Sequence, residues 1–272
     1  MHSHLVRSKP PEQVLRAFGG DGSPTPLTGG RGLAWRAGSI VVKPADTSEE
    51  FLAWQAETLG QLSRDQLRLA VPRRSAHGAF VVDGWMASTF CAGSHQPGRW
   101  LDIVAVADRL HAALARVPRP AFDRVRDDPW ANADRVAWGE ASVTPFLQVP
   151  QVARLAPLLA PVDHPSQAIH GDLTGNVLFA DPLPPAVIDF AVYWRPAAYA
   201  RAIVVADALA WEGATPDDLA PATSGEGFGQ FLARALLARI VTDWLADPQS
   251  APARAPAYAS GVDLVVRLIE SA

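Results

Sequence analysis

The 272-residue sequence has little cysteine, little lysine and no long apolar run, and each scarcity excludes a class of protein. A single cysteine, Cys91, excludes a disulfide framework and any zinc site built from several cysteines. No run approaches the roughly 18 apolar residues of a membrane-spanning helix, and the N-terminus lacks the apolar core of a secretory signal. A formal net charge of −4 excludes a strongly basic nucleic-acid-binding surface. We therefore expect a cytoplasmic globular protein without nucleic-acid or membrane partners.

The scarcity of lysine points to one residue. Of the 24 basic residues, 22 are arginine and only Lys9 and Lys43 are lysine. Lys43 follows the β-branched run at 40–42 and precedes Pro44, so the pattern predicts a strand that carries a lysine. A strand lysine is usually a solvated edge residue. In an arginine-biased chain, however, a lysine retained within an apolar strand indicates a chemical role.

The pattern of apolar residues changes near residue 92. Before it, β-branched runs, an Asp83-Gly84 turn and a capped helix from about residues 47–50 to 62 predict a small antiparallel sheet with one helix. After it, helical spacing dominates, at 101–114, 151–159, 198–211 and 228–244. The Ala- and Pro-rich residues 250–257 are predicted to form a loop. We therefore expect an α+β fold with a sheet-rich part at 1–91 and a mainly helical part at 92–272.

The most informative segment is 169–179, where His170, Gly171 and Asp172 are followed by Asn176. Thirteen residues after Asn176, a short apolar strand ends in Asp189. Asp189 and Asn176 offer hard oxygen donors, which suit Mg²⁺ held together with substrate phosphates. Asp172 then remains to orient or accept the proton of an attacking hydroxyl. This spacing indicates phosphate chemistry.

These motifs resemble those of the aminoglycoside phosphotransferases and choline kinases, over roughly residues 25–245. Three further stretches, 26–30, 82–85 and 193–196, are similar to a set of actinobacterial members. The resemblance implies a two-lobed protein-kinase-like fold, with a nucleotide-binding N-lobe at 1–91 and a C-lobe at 92–272 that carries the catalytic loop and acceptor site. It also implies a Mg²⁺-dependent small-molecule kinase that moves the γ-phosphate of ATP or GTP to a hydroxyl of a small-molecule acceptor.

The resemblance also implies a role for individual residues. Asp172 matches the catalytic aspartate, and Asn176 and Asp189 match the two metal ligands. Lys43 matches the lysine that contacts the nucleotide phosphates, and Glu57 best matches its helix partner, with Glu50 as a rival. Nucleotide contacts are further implied for the glycine-rich loop and for backbone groups of the hinge between lobes: Gly29, Gly30, Arg31, Gly32, Ala87 and Thr89.

Other polar residues are expected to support the site rather than to react. Asp207 resembles the helix aspartate that braces the backbone of the catalytic loop. His170 is expected to pack and hydrogen-bond within that loop, and His111 to face the core of a helix. None of the three is assigned proton transfer.

Several features depart from the family pattern. Three residues, not four, separate Asp172 from Asn176, and the glycine loop is not Gly-x-Gly-x-x-Gly. Gly171 stands where protein kinases carry arginine, which argues against a regulated protein kinase. The acids after residue 210 are scattered, whereas an aminoglycoside acceptor calls for a dense acidic pocket. A second hypothesis therefore stays open, namely a nucleotide-binding, kinase-like scaffold without turnover.

Two other enzyme classes lack their motifs. The chain has no Gly-x-Ser-x-Gly nucleophile elbow and no Gly-x-x-x-x-Gly-Lys-Ser/Thr phosphate loop. The sequence therefore favours kinase-like chemistry over a serine hydrolase or a P-loop nucleotidase.

Overall fold

The computed structural model describes residues 8–28, 32–121 and 126–271. The helices are α1 (Glu12–Ala17), α2 (Glu49–Gln61), α3 (Trp100–Leu114), α4 (Pro129–Ala137), α5 (Pro150–Leu155), α6 (Ala197–Trp211), α7 (Phe228–Ala246), α8 (Ala251–Arg254) and α9 (Ala259–Glu270). The strands are β1 (Thr25–Pro26), β2 (Trp35–Ala37), β3 (Ile40–Pro44), β4 (Arg68–Leu69), β5 (Val81–Val82), β6 (Trp85–Thr89), β7 (Gln167–His170), β8 (Val177–Ala180), β9 (Leu183–Val187) and β10 (Val192–Arg195).

The chain forms two compact units that interleave in sequence. The first comprises the residues through His95 together with Gly175–Asp189, and the second comprises Gln96–Thr174 together with Phe190 onward. The predicted boundary after residue 91 lies close to His95, where the chain first passes from one unit to the other. The prediction placed 175–189 in the C-terminal part, whereas the structure groups these residues with the first unit.

Strand pairing explains that grouping. In a three-stranded sheet of order β4-β9-β8, β9 pairs in parallel with β4, and Arg68 lies opposite Ala186. β8 pairs antiparallel with β9, and Val177 lies opposite Val187. The hairpin of β8 and β9 is therefore hydrogen-bonded to an N-terminal strand, a long-range pairing that periodicity cannot reveal.

The main sheet of the first unit is antiparallel, with the order β1-β2-β3-β6-β5. Asp83 and Gly84 connect β5 to β6 with φ values of 49° and 78°. Two successive positive φ angles define a type I′ turn, whose twist matches that of the flanking strands. The predicted Asp-Gly hairpin is confirmed.

The two faces of this sheet pack against different helices. Ile40 and Val42 face a cluster with Val14, Leu15 and Phe18 from the α1 region. Met86 packs on the other side against Leu52 of α2.

The register then places Lys43. Lys43 lies directly opposite Met86 in the pairing of β3 with β6. Directly opposed residues share a face of the sheet, so Lys43 lies on the α2 side. Ser48 caps α2 by accepting a hydrogen bond from the Phe51 N–H at 3.1 Å, which confirms the predicted helix start.

The second unit is mainly helical, as predicted. α4, α6 and α9 pack around α7, and α7 is apolar on almost all sides, as a central helix must be. β7 and β10 add a two-stranded antiparallel ribbon with His170 opposite Val192. Within the described residues, no helix combines the length and apolar character needed to cross a bilayer.

The predicted loop at 250–257 is wrong. α8 and a 3₁₀ turn at Ala255–Tyr258 occupy it, and each has a proline in its first turn. Proline is compatible with the first helical positions because the N–H groups there have no partner within the helix. The Ala-Pro repeats therefore mark helix starts.

Candidate active site

Lys43 is held between two carboxylates. Its Nζ donates to Asp46 Oδ2 and to Asp189 Oδ1, each at 3.1 Å. Burial alone lowers the pKa of the ammonium group, but Asp189 and Asp46 outweigh burial and raise that pKa above its ordinary value. With a quarter of its side chain exposed, Lys43 is a charged and still reachable cation.

The predicted pairing of Lys43 with Glu57 is wrong in this structure. The carboxylate partners are Asp46 and Asp189, and Glu57 is exposed on α2, where it lines a surface groove with Trp54 and Arg74. Asp46 prevails because it follows Lys43 by only three residues, in the turn between β3 and α2. A nucleotide-site role for Glu57 stays a prediction, and Glu50 is exposed as well.

Asn176 and Asp189 lie at the same end of the hairpin of β8 and β9. The Ile188 N–H donates to the Asn176 carbonyl at 3.0 Å, just beyond the Val177–Val187 pair. Asp189 follows with φ of 47°, in the left-handed region that non-glycine residues rarely adopt. Such strain is commonly stored at functional sites. Its side chain is 55% exposed.

The donor set at this hairpin fits a magnesium ion. Mg²⁺ in proteins is typically bound by one or two carboxylates and completed by water and substrate phosphates. Asp189 offers an accessible carboxylate, and Asn176 offers an amide oxygen on a half-buried side chain. The Lys43 ammonium beside Asp189 is suited to the same phosphates.

Two buried histidines hold the backbone of the loop that carries Asp172. The His170 N–H donates to His111 Nε2 at 3.0 Å, and the Asp172 N–H donates to His170 Nδ1 at 3.1 Å. Burial, with a smaller contribution from His170, lowers the pKa of His111 to about 3. His111 is therefore neutral and able to accept. The structural roles expected for both histidines are confirmed.

Gly171 is required by the packing of Tyr193. A Cβ at Gly171 would lie 2.3 Å from Tyr193 Cδ2, far inside van der Waals contact. The Arg126 guanidinium lies 5.1 Å from the centre of that ring and is itself bonded to Asp128 and to the Val192 carbonyl. Gly171, which stands where protein kinases carry arginine, thus leaves space for the Tyr193 ring, and Arg126 holds that ring in place.

Asp172 is engaged by an arginine that the sequence reasoning missed. Arg239 Nη2 donates to Asp172 Oδ1 at 3.0 Å. The same guanidinium donates to Asp207 through Nε at 2.8 Å and through Nη2 at 2.7 Å. Asp207 is thus linked to the Asp172 side chain through Arg239, and its expected bracing of the loop backbone stays a prediction. The sequence feature that could have revealed this contact is the charged Arg239 within the apolar run of α7.

The remaining predicted nucleotide contacts divide into two groups. Gly29, Gly30 and Arg31 lie outside the described residues, and Gly32 has φ of 69°. In β6 the Thr89 N–H donates to the Val71 carbonyl at 2.9 Å, and the Ala87 carbonyl accepts from the Arg73 N–H at 2.8 Å. The segment at 71–73, which runs beside β6 outside the named strands, therefore uses the Thr89 N–H, and that group is not free for adenine.

No family model matches the sequence, and no curated protein matches it in sequence. Solved structures do match its fold. An aminoglycoside phosphotransferase from Alicyclobacillus acidocaldarius has a TM-score of 0.63 at 15% identity, covering 100% of this chain and 99% of that one. Spectinomycin phosphotransferase in complex with ADP and spectinomycin has a TM-score of 0.57 at 13% identity, covering 94% and 96%.

A third similar structure belongs to another kind of kinase. Choline kinase from Streptococcus pneumoniae has a TM-score of 0.58 at 12% identity, covering 93% of this chain and 97% of that one. The chain thus has the protein-kinase-like fold. In particular, it has the form of that fold found in aminoglycoside phosphotransferases and choline kinase, with a small antiparallel sheet in the N-terminal region and a helical C-terminal region.

Proposed function

We propose that this chain is a small-molecule kinase that transfers the γ-phosphoryl group of ATP to a hydroxyl, with Mg²⁺. The observation that carries the proposal is the contact between Lys43 and Asp189. This contact pairs the strand lysine with Asp189, the aspartate predicted to be a metal ligand, in a fold shared with phosphotransferases.

The nucleotide side of the reaction needs a cation and oxygen donors. The Lys43 ammonium contributes a point charge for the phosphate oxygens. Asp189 and Asn176 would hold Mg²⁺, which when bound neutralises phosphate charge. Since Asp46 also holds Lys43, the ammonium keeps one carboxylate partner if Asp189 turns to the metal.

The acceptor side needs an oriented hydroxyl. Asp172 accepts a hydrogen bond from this hydroxyl and aims its oxygen at the γ-phosphorus. A bond forms between the acceptor oxygen and the γ-phosphorus, and the bond between that phosphorus and the β,γ-bridging oxygen breaks. ADP leaves with the electron pair, and the hydroxyl proton passes to Asp172.

Nucleotide and acceptor are both to be identified by experiment. ATP and GTP present the same triphosphate to Lys43, so both belong in the screen. Spectinomycin and choline are the first acceptors to test, because the similar structures include a spectinomycin phosphotransferase and a choline kinase. The demand for a nucleoside triphosphate is in keeping with the expected cytoplasmic location.

The metal role of Asp189 predicts a specific loss. Mg·ATP should raise the melting temperature of the wild type, because a ligand that binds the folded state stabilises it. Asp189→Asn should lose the Mg²⁺-dependent part of that increase and keep its fold. Asp263→Asn is the matched control, since Asp263 lies in an exposed ion pair with Arg154. An unchanged Mg²⁺ dependence in Asp189→Asn would rule out the assignment.

A measurement of turnover distinguishes a small-molecule kinase from a kinase-like scaffold that only binds nucleotide. ADP release from Mg·ATP is measured with water alone, with spectinomycin and with choline. Acceptor-stimulated ADP release, with phosphate recovered on the acceptor, supports the kinase. Mg·ATP binding without ADP release under any of these conditions favours the nucleotide-binding scaffold instead.

A further inference from the structure

Asp207, Arg239 and Asp172 form a chain of charges that we call the arginine clamp. Arg239 stands on α7 and Asp207 on α6, and both are largely buried, with 16% and 6% of their side chains exposed. Asp172, at the other end, is 48% exposed. The clamp therefore runs from the interior of the helical unit to a carboxylate that solvent still reaches.

The two ends of the clamp differ in how they are bonded. Asp207 receives two hydrogen bonds from the guanidinium, through Nε and Nη2, which is the fork geometry that makes arginine a directional ligand. The same guanidinium donates to Asp172 through Nη2 alone, at Oδ1. Asp207 therefore anchors the guanidinium, and the Nη2 of the anchored guanidinium also contacts Asp172.

If Arg239 served only to form a structural ion pair with Asp207, a contact with Asp172 would not be needed. Burial raises the pKa of Asp207, and Arg239 opposes that effect. Burial lowers the pKa of Arg239, but Asp207 and Asp172 raise it well above its ordinary value. One cation thus balances the buried anchor and still contacts a loop aspartate 67 residues away in sequence.

We propose that Arg239 is a positioning residue, which uses Asp207 as its anchor to hold the Asp172 carboxylate in the orientation for phosphoryl transfer. This proposal rests on the proposed function. Arg239 acts through Asp172 and is not itself assigned a contact with substrate. A displacement of about 1 Å in a reacting group can cost about 10²-fold in rate, so a device that fixes this carboxylate has a measurable effect.

The test removes the clamp without leaving a buried charge. Asp207→Leu combined with Arg239→Met replaces the pair by apolar side chains of similar size, a change that folded proteins often tolerate. This double variant is made in the wild type and in Asp172→Asn. The kcat and KM for Mg·ATP are measured by ADP release with water, spectinomycin and choline. Thermal unfolding checks that each variant is folded.

The expected result is a loss that depends on Asp172. In the wild-type background, kcat should fall about 10²-fold with KM unchanged. In the Asp172→Asn background, the same double variant should cost less than about threefold more, because residues that act as a unit are not additive. Arg154→Met with Asp263→Leu, an exposed Arg–Asp pair, is the matched control and should leave kcat unchanged.

A single substitution keeps the test decisive if the double variant does not fold. Arg239→Lys retains the charge for Asp207, but an ammonium lacks the planar fork that spans two carboxylates. We expect it to lower kcat and to leave KM unchanged, again only where Asp172 is present.

Two results would overturn the proposal in different ways. Equal losses of kcat with and without Asp172 would make the clamp a structural link between α6 and α7. A wild-type chain that releases no ADP with any of the three acceptors would overturn the proposed function, and the positioning role with it.

Discussion

At the residue scale, Lys43 shows how distance along the chain selects an ion-pair partner. Glu57 was predicted from its place on the following helix. Asp46 instead reaches the ammonium from a turn three residues away, and Asp189 reaches it from a separate hairpin. Both carboxylates are about half exposed, so the pairs are too solvated to add much stability. The two ion pairs instead fix the position of the Lys43 ammonium group.

Lys43→Met should weaken ATP binding selectively. A charged hydrogen bond contributes about 1.5–3 kcal/mol, so the ATP affinity should fall by about 10- to 100-fold, whereas adenosine affinity should not change. The free energy of unfolding should fall by less than about 1 kcal/mol, since the pairs are exposed. Isothermal titration calorimetry with ATP and adenosine measures the difference.

Lys9→Met is the control for this prediction, because Lys9 is the other lysine of the chain and is exposed. It should bind both ligands like the wild type. If Lys43→Met loses affinity equally for ATP and adenosine, Lys43 does not contact the phosphates.

At the element scale, the ribbon of β7 and β10 positions the loop that carries Asp172. Gly171 follows β7 directly, and its N–H donates to the Ala191 carbonyl at 2.9 Å, next to β10. Tyr193 of β10 covers the position where a side chain would project. Arg126 restricts that ring in turn, so the ring has little freedom to move aside.

Gly171→Ala should therefore destabilise the protein. Forcing a methyl group into occupied space costs about 1–3 kcal/mol, and that loss in the free energy of unfolding should appear in urea denaturation. Gly60→Ala is the matched control, because Gly60 lies in α2 and, apart from its chain neighbours and the backbone of its own helix, no atom lies within 4 Å of the added Cβ. It should be neutral or up to about 1 kcal/mol stabilising, because alanine favours helices more than glycine. Equal effects in the two variants would contradict the packing role of Tyr193.

At the scale of the whole molecule, stability should depend on pH through His111. The folded pKa of about 3 lies below the ordinary 6.5, so the unfolded chain binds more protons between these values. Stability is therefore full above about pH 6.5 and falls as the pH drops toward 3, by about 1.4 kcal/mol per pH unit. At pH 4.5 the contribution lost is about 2 to 3 kcal/mol.

His111→Gln isolates this effect, because the glutamine amide oxygen can accept from the His170 N–H but does not titrate. The difference in the free energy of unfolding between wild type and His111→Gln, measured in urea at pH 7 and pH 4.5, should change by that amount. A difference that is the same at both pH values would show that His111 does not limit acid stability.

Local patterns in the sequence determined much of this protein. The Asp83-Gly84 hairpin, the capped start of α2, the apolar helices α6 and α7 and the strand that carries Lys43 follow from turn chemistry and periodicity. These signals lie within a few residues of the element that they specify. The resemblance of the motifs around Asp172 and Asp189 to those of phosphotransferases implied the kinase-like fold.

Only the tertiary structure decided which side chains meet. Asp189 contacts Lys43 across 146 residues of sequence, and Arg239 contacts Asp172 across 67. The pairing of β9 with β4 draws residues 175–189 into the first unit. Such contacts depend on how strands pair and helices pack, and many charged residues along the chain compete for each partner. Periodicity along one element carries no information about that choice, so the partners of Lys43 and Asp172 emerged only from the fold.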